Sequence, residues 1–237
     1  MSAFLAFVLA AAAALVALVV LMVKMWRAAN DLRGALAKAQ NRLAGMETER
    51  QNSEARITDY QKRLEQMAYS DALTAVANRN RFYEEAERVL ARAKRVHSHS
   101  VVLYCDLDGF KKINDQHGHE AGDVVLVEVA RRLEACVRRE DLVARMGGDE
   151  FAIILENLSD ITKVKAVAES IVERISQPIL MEGVLLHVGI SVGGVIVNPD
   201  AVSIRDILVN ADRAMYSAKR QGQGKVVIAD FNAKTAE

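Results

Sequence analysis

Proline and glycine are scarce in this chain of 237 residues, with 2 and 13 copies respectively. Long disordered segments and repeat linkers are rich in these two residues, so the composition argues against both. An excess of one charge is also missing, because 31 basic residues balance 31 acidic ones. Since nucleic-acid-binding proteins usually carry a basic excess, we expect no nucleic-acid partner.

Cysteine is equally rare, with Cys105 and Cys136 as the two copies in the chain. Two cysteines are too few for a disulfide framework or a zinc site. Cys105 lies in an apolar run typical of a strand, and Cys136 lies on a helical pattern. We therefore expect both to be reduced thiols buried in the core.

Charge is absent from Ser2–Val23, which consists almost entirely of Ala, Val, Leu, Phe and Met. This length suits a hydrocarbon layer of roughly 30 Å. A cleaved signal peptide or a buried hydrophobic helix are the alternatives. The run ends in Lys24, Met25, Trp26 and Arg27, which combine an interfacial aromatic ring with positive charge. We expect residues 1–26 to form a single-pass anchor in the inner (cytoplasmic) membrane, with the remainder in the cytoplasm.

Residues 27–69 contain no proline and have the apolar spacing of a helical coiled coil, alternating between four and three residues. Arg50 and Ser53 interrupt this seam in its middle. A solvated single helix is the alternative, but a long polar helix has to bury its apolar stripe somewhere. The pattern therefore predicts a coiled-coil linker that forms a homodimer. The seam residues are Leu32, Leu36, Ala39, Leu43, Met46, Ile57, Tyr60, Leu64 and Met67.

Residues 70–237 alternate between helical and strand patterns, which predicts one domain with an α/β (α+β) fold. Two hairpins among the strands favour a mainly antiparallel central sheet flanked by helices. One hairpin contains Gly147 and Gly148 and the other Glu182 and Gly183. We expect helices at about 81–95, 121–137, 161–176 and 203–222, the last capped by Ser203, and strands in "SVVLYCDLDGF", "DLVARM", "EFAIIL", about 179–182, about 184–197 and "KVVIAD".

Acidic residues adjoin the Gly-Gly hairpin and end a separate strand. Asp149 and Glu150 follow the glycines, and Asp106 and Asp108 close the earlier strand. Carboxylates that converge repel one another unless a cation lies between them. Oxygen ligands completed by substrate phosphates are the usual arrangement for Mg²⁺. The spacing alone leaves two interpretations open: a metal-assisted phosphoryl-transfer site, or a turn with solvated acids.

Four separated motifs carry a family resemblance. "RMGGDEF", preceded by "DLDGFKKINDQHGHEAGD", resembles the GGDEF-domain diguanylate cyclases. "DALTAVANR" is similar to the N-terminal signature of that family, and "ADRAMYSAKRQG" to its C-terminal helix. The resemblance covers residues 70–237 and implies a sheet like that of nucleotidyl cyclases and polymerase palms. It also implies the condensation of two GTP molecules into cyclic di-GMP with release of pyrophosphate, each half of a dimer holding one GTP.

The resemblance assigns roles at the acidic end of the strand. The Asp106 carboxylate, the Leu107 carbonyl and the Asp149 carboxylate would hold Mg²⁺, with Mn²⁺ as the alternative ion. Asp149 would also be the base for the ribose 3′-OH. Lys111 would stabilise charge on the leaving pyrophosphate, and Glu150 would support the geometry or electrostatics of the site. Taken singly, each residue also fits a solvated or structural role.

The resemblance further implies contacts with substrate and product. Asn114, His119 and Asp123 match positions that contact guanosine, and Lys219 matches a lysine that binds phosphate. Arg138 and Asp141 match an RxxD site at which cyclic di-GMP inhibits the enzyme, since an arginine grips phosphate and stacks on a base. An exposed charged helix end is the alternative interpretation of this last pair.

The chain departs from the family pattern in two places. Gln223 and Gly224 stand where the family usually has Arg-Asn. We hypothesise weaker GTP binding, or partial substitution by Lys225 or Arg220. In the N-terminal signature, alanine or valine replaces residues that are more often Pro, Gly, Leu and Pro, at positions Ala72, Ala75, Val76 and Ala77.

A catalytically silent module that reads GTP or cyclic di-GMP is the main rival function. Such a module would be expected to have lost Asp106, Lys111, Asp149 or Glu150. All four are present, and the sequence therefore favours an active enzyme.

Overall fold

The computed structural model describes residues 2–96, 99–158, 160–197 and 203–230, without the side chains of residues 2–6, 10–13, 61–66, 96 and 230. The chain forms two compact units, Met1–Lys62 and Arg63–Glu237. Each unit is described below by itself.

Helix α1 (Ser2–Tyr69) is continuous. One stretch, beginning at Phe7, is long and apolar enough to cross a membrane by length and composition, and its described side chains are exposed. The predicted seam is also exposed in the single chain, with exposed fractions from 56% at Tyr60 to 79% at Met67; the side chain of Leu64 lies outside the described residues. At the polar middle of the seam, Arg50 forms an ion pair with Glu54 at 2.7 Å.

The second unit is built on a six-stranded sheet in the order β1-β3-β4-β2-β7-β8. Three of its pairs are antiparallel (β2–β4, β2–β7 and β3–β4), whereas β1–β3 and β7–β8 are parallel. The predicted mainly antiparallel sheet flanked by helices is therefore confirmed. The strands are β1 (Ala77–Asn78), β2 (Ser100–Asp108), β3 (Leu142–Gly147), β4 (Glu150–Leu155), β5 (Ile179–Met181), β6 (Val184–Leu186), β7 (Gly189–Val197) and β8 (Val226–Asp230). The helices are α2 (Arg79–Val96), α3 (Phe110–His117), α4 (His119–Glu134), α5 (Ile161–Ile175) and α6 (Ile204–Arg220).

Side chains of the central strand β2 alternate between two cores. Leu103 and Cys105 belong to the core on the face covered by α4 and α5, and Val102 belongs to the core covered by α2 and α6. Because successive side chains of a strand point to opposite faces, Asp106 and Asp108 lie on the α2–α6 face. Helix α6 packs closely on this face, since a Cβ at Gly193 of β7 would lie 2.0 Å from the backbone nitrogen of Met215.

Several predicted elements have different bounds in the structure. The helix expected at 121–137 begins earlier and ends at Glu134, and α3 precedes it without having been predicted. Gly118, with φ of 84°, separates α3 from α4. The strand expected at 184–197 is two strands, because β6 pairs with β5 in a separate two-stranded sheet. Ser203 is the N-cap of α6, as predicted, and its side chain accepts a hydrogen bond from the Asp206 backbone N–H.

The two cysteines differ in burial. Cys105 is fully buried in β2, as expected, whereas Cys136 is half-buried after α4, and both are free thiols. Burial raises the pKa of the Cys105 thiol and that of the Cys136 thiol. The expectation of a core thiol is therefore confirmed for Cys105, while Cys136 lies at the edge of the core and lines a cavity.

Candidate active site

The end of β2 and the β3–β4 hairpin bring the acidic residues together. Asp106 of β2 is directly opposite Glu150 of β4 in the antiparallel register. The backbone N–H of Leu107 donates to the Asp149 carbonyl at 3.3 Å, which ties the hairpin to β2. Gly147 and Gly148 have φ of 147° and 55° in this turn, values that L-residues with side chains rarely adopt. The two glycines thus permit the turn that places Asp149 beside β2.

The Asp106 carboxylate is the centre of this group. Burial raises its pKa, and the negative charges of Asp149 and Asp108 raise it further, while Lys219 opposes the shift. The Lys219 ammonium donates to Asp106 Oδ1 at 2.5 Å, and the two side chains are 31% and 18% exposed. The Leu107–Asp149 backbone bond and the pairing of Asp106 with Glu150 bring acids that are distant in sequence to one end of the sheet. A positive charge at this position relieves their repulsion.

The same group provides oxygen donors for a divalent cation. The described residues contain no cluster of three or more His, Cys, Asp or Glu side chains suited to a metal. The predicted ligand set has instead two carboxylates, from Asp106 and Asp149, and the Leu107 backbone carbonyl. An all-oxygen set that leaves positions for substrate oxygens is typical of Mg²⁺. The Lys219 ammonium pairs with Asp106, which shows that this carboxylate accepts a positive group at the position where a cation would bind, so the oxygen set fits a bound cation.

Glu150 has a partner that the sequence analysis did not identify. The Tyr104 hydroxyl donates to Glu150 Oε2 at 3.2 Å from the same face of β2. Burial raises the pKa of Tyr104, and the Glu150 charge raises it further, so the phenol remains a donor at neutral pH. This hydrogen bond orients the carboxylate beside Asp106.

The Asp108 carboxylate has different hydrogen-bond partners from the Asp106 carboxylate. Its oxygens accept from the Ser191 hydroxyl at 3.0 and 2.9 Å and from the Gly224 backbone N–H at 2.9 Å. The two acids that end β2 therefore have different partners, although the sequence presents them as a pair. Asp106 faces the hairpin and Lys219, whereas Asp108 contacts β7 and the loop after α6.

The residues predicted to contact guanosine lie on the α3–α4 pair that follows β2. Asn114 Oδ1 is buried and has no hydrogen-bond partner within the described part of the chain. A Cβ at Gly122 of α4 would lie 2.0 Å from this oxygen, so Asn114 occupies space that a side chain there would fill. His119 and Asp123 on α4 and Lys111 on α3 have exposed side chains. The structure thus provides one buried unpaired acceptor and several exposed polar groups for a ligand.

The predicted product-binding pair lies in the segment between α4 and β3. Asp141 Oδ2 accepts from the Arg138 backbone N–H at 2.9 Å, and Oδ1 accepts from the Glu156 backbone N–H at 3.0 Å. Arg138 is exposed, and both residues line a cavity of about 290 Å³ that also includes Lys163. Asp141 therefore shapes the turn that presents Arg138 at this cavity.

Arg145 connects the hairpin to the N-terminal turn of the domain, a link that the sequence analysis missed. Its Nε and Nη2 donate to the Gly148 carbonyl at 3.0 and 2.8 Å, and its Nη1 donates to Asp71 Oδ1 at 3.1 Å. Asp71 also accepts from the Thr74 N–H and hydroxyl at 2.9 and 2.7 Å. Burial alone would raise the pKa of Asp71, but the bonds from Thr74 and Arg145 outweigh it and hold the pKa below its usual value. Asp71 lies in "DALTAVANR" and Arg145 in "RMGGDEF". Their place in these two motifs was the only sequence signal for the link.

Comparison with known proteins identifies the class of this domain. The sequence profile of the family described as "Diguanylate cyclase, GGDEF domain" matches residues 68–225. The chain therefore belongs to the GGDEF-domain family of diguanylate cyclases, which confirms the resemblance noted from its motifs.

Individual relatives agree with this assignment. The chain is 39% identical over 162 residues to the bifunctional diguanylate cyclase/cyclic di-GMP phosphodiesterase MucR of Pseudomonas aeruginosa, a match that covers 68% of this chain and 24% of MucR. The solved GGDEF domain of TpbB (YfiN) from the same organism is 38% identical, with a TM-score of 0.65, and the match covers 68% of this chain and 94% of that one. The coiled coil and GGDEF domain of DgcB from Caulobacter crescentus, solved with c-di-GMP, is 27% identical, with a TM-score of 0.73 and coverage of 79% and 99%.

The chain spans less than half the length of the first curated relatives that it matches, namely 24% of MucR and 41% of TpbB. The family and fold therefore follow from the comparisons. The activity of the whole chain requires an argument from its own residues.

Proposed function

We propose that this chain is a diguanylate cyclase, which condenses two GTP molecules into cyclic di-GMP and releases two pyrophosphates. The observation that carries the proposal is that Asp106 with its partner Lys219 and the Asp149 turn meet at the end of β2. Membership of the GGDEF family supports the same conclusion.

The proposed roles follow from the contacts of each residue. Asp106, the Leu107 carbonyl and Asp149 would hold Mg²⁺, or Mn²⁺ in its place. When bound, such a cation polarises the α-phosphate and neutralises charge on the departing pyrophosphate. Asp149 accepts the proton of the ribose 3′-OH. The 3′-oxygen then bonds to the α-phosphorus of the second GTP, and pyrophosphate leaves with the electron pair of the broken P–O bond.

Positive charge for the phosphates comes from two lysines. Lys219 is 31% exposed and pairs with Asp106, so it lies beside a carboxylate that would ligate the cation. Lys111 on α3 is exposed and accessible to a phosphate. Glu150, oriented by the Tyr104 hydroxyl, adds negative charge that favours a cation at the acidic group.

Asn114, His119 and Asp123 form the proposed guanosine site. The guanine edge presents N1–H and N2–H₂ donors, and the Asn114 Oδ1 is a buried acceptor without a partner in the described part of the chain. An unpaired buried acceptor costs about 1–3 kcal/mol, and a ligand donor that pairs with it recovers part of this cost. The exposed carboxylate of Asp123 is the second acceptor for the same edge.

A homodimer is proposed because each catalytic domain binds one of the two GTP molecules. The apolar seam of α1 is exposed in the single chain, and a second copy would cover it as a coiled coil. The solved DgcB structure contains a coiled coil joined to a GGDEF domain. Residues 27–69 are the proposed coiled-coil linker, and residues 70–237 are the catalytic domain. The orientation of two domains then controls the rate.

Residues 1–26 are the proposed membrane anchor. Their apolar composition, together with Trp26 and the adjoining basic residues, favours a single pass through the inner membrane with the catalytic domain in the cytoplasm. The single helix of sufficient length and apolarity among the described residues supports this proposal.

Product inhibition is proposed at Arg138 and Asp141. The exposed guanidinium of Arg138 is available to a phosphate or a base, and the adjacent cavity of about 290 Å³ offers space for part of a nucleotide. Bound cyclic di-GMP at this position would restrict the approach of the two catalytic domains.

The test is incubation of the full chain in detergent micelles with GTP and Mg²⁺, followed by chromatographic measurement of cyclic di-GMP and pyrophosphate. We expect both products, and we expect Asp149→Ala to abolish them. Glu169→Ala, which changes an exposed acid on α5, serves as the matched control and should retain activity. Binding of cyclic di-GMP without any turnover by the unmodified chain would contradict the proposal and indicate a silent binding module.

A further inference from the structure

The buried carboxylate of Asp108 has no role in the chemistry proposed above. Asp108 is 7% exposed at the end of β2 and lies on the same face as Asp106. Among the residues that the structure describes, its hydrogen-bond donors are the Ser191 hydroxyl and the Gly224 backbone N–H, neither of which carries a charge. Burying a carboxylate costs free energy that neutral donors only partly offset. A residue that was needed only for packing would be expected to be apolar.

The contacts of Asp108 fix the loop that follows α6. Gly224 has φ of 71°, and its N–H points at Asp108 Oδ2 at a distance of 2.9 Å. One residue later, the Lys225 carbonyl accepts from the Val192 N–H at 2.9 Å, where β8 joins the sheet. Ser191 precedes Val192 in β7, so one carboxylate joins β2, β7 and the loop at residues 221–225.

The same loop adjoins the lysine of the proposed active site. Helix α6 ends at Arg220, and Lys219 in its last turn donates to Asp106. Two acids of one strand, separated by a single residue, therefore contact one continuous segment. In this segment, the Lys219 side chain donates to Asp106, and the Gly224 backbone N–H donates to Asp108.

We propose that Asp108 is a positioning residue, which holds the 221–225 loop on the ends of β2 and β7 so that Lys219 stays beside the GTP site. This inference rests on the proposed function. With a cation and the phosphates of GTP in the site, Asp106 would ligate the cation instead of pairing with Lys219. The bond from Asp108 to Gly224 does not depend on that exchange, so the end of α6 remains in place and Lys219 remains available to a phosphate.

The first measurement is limited trypsin digestion of the full chain in detergent micelles, with the early cleavage products quantified by mass spectrometry. Arg220 and Lys225 are exposed cleavage sites at the two ends of the loop. Asp108→Ala should speed cleavage after these residues by at least about fivefold, because the loop loses a charge-assisted hydrogen bond. Asp108→Asn retains an oxygen for the Gly224 N–H and should stay within about twofold of the wild type.

The second measurement is equilibrium binding of 3′-deoxy-GTP with Mg²⁺, because this nucleotide lacks the attacking hydroxyl. Asp108→Ala should weaken binding by at least about fivefold, and Asp108→Asn should restore most of the affinity. Val89→Ala removes buried methyl groups from α2 and is the destabilised control. It should lower the melting temperature without changing either the cleavage of the loop or the affinity.

The outcomes separate the inference from the function on which it rests. Unchanged cleavage in Asp108→Ala overturns the inference, whether or not cyclic di-GMP is made. Faster cleavage with unchanged affinity for 3′-deoxy-GTP also overturns it, because Asp108 would then fix the loop without positioning anything for the nucleotide. Absence of nucleotide binding and product in the wild type contradicts the proposed function itself, and with it the role of Asp108 in GTP binding.

Discussion

Ala75 adopts a left-handed backbone conformation, with φ of 62°, in the turn that begins the catalytic domain. The turn is closed by bonds from the Asp71 N–H to the Val76 carbonyl at 2.8 Å and from the Ala75 N–H to the Asp71 carbonyl at 2.9 Å. A residue with a Cβ pays about 1–2 kcal/mol in this region. Glycine avoids that cost but loses about 0.4–1 kcal/mol through the greater entropy of the unfolded chain. We therefore expect Ala75→Gly to stabilise the domain by about 0.5–1 kcal/mol.

Calorimetry on a fragment of residues 63–237 measures this effect, since these residues form a compact unit and the solved TpbB structure comprises only the GGDEF domain. The melting temperature should rise by about 1–4 °C for a domain of this size. Ala72→Gly is the matched control, because Ala72 lies in the same turn but not at a positive φ. It should lower the melting temperature by a similar amount, since only the entropy cost remains. If both substitutions lower it equally, the left-handed conformation of Ala75 is not a source of strain.

Three further predictions concern the site. Arg145→Lys retains the charge but not the forked bonds to Asp71 and Gly148, and should lower the free energy of unfolding by about 1.5–3 kcal/mol at neutral pH. Because the pKa of Asp71 lies below its usual value, the bond contributes fully at neutral pH and is lost as the pH falls through the lowered folded value; calorimetry should therefore show the difference shrinking as the solution is acidified, and a difference that stays constant on acidification would contradict it. Gln223→Arg should lower the Michaelis constant for GTP by about fivefold or more through a charged bond to phosphate, and an unchanged constant in initial-rate assays would refute the role of this loop position. Arg138→Ala should raise the cyclic di-GMP concentration that gives half-inhibition by at least about tenfold, whereas an unchanged inhibition curve would exclude Arg138 from the product site.

The alternation of strands and hairpin glycines allowed the acidic group to be predicted from sequence. Asp106 ends an apolar strand, and Asp149 follows two glycines between apolar runs. Since strand ends and hairpin tips can be brought together in a sheet, convergence of these carboxylates was one of the two interpretations that the spacing left open. The structure ties the Asp149 turn to the end of β2 through the bond from the Leu107 N–H to the Asp149 carbonyl. The different partners of Asp108 could not be predicted from sequence, because the alternation of side chains along a strand puts Asp108 on the same face as Asp106. Only the tertiary contacts distinguish the two acids: Lys219 donates to Asp106, whereas Ser191 and the Gly224 N–H donate to Asp108.

Elements with little periodic burial were also missed. Helix α3 has eight residues and Ile113 as its buried position, so it lacks the repeated apolar spacing that indicates a helix. Its bounds are set by Gly109 and Gly118, which both have φ of 84°. The division between β6 and β7 depends on which partner each strand pairs with, and apolar spacing within one segment carries no information on pairing.

The proposed activity requires two carboxylates to share a divalent cation beside GTP. Binding of Mn²⁺ in the presence of 3′-deoxy-GTP, followed by electron paramagnetic resonance, measures this directly, because free and bound Mn²⁺ give different signals. Asp106→Asn and Asp149→Asn should each weaken Mn²⁺ binding by at least about tenfold, which corresponds to about 1.4 kcal/mol. Glu169→Gln, on the exposed face of α5, should leave binding unchanged. If either substitution at position 106 or 149 leaves the Mn²⁺ affinity at the wild-type value, the two acids do not form one cation site.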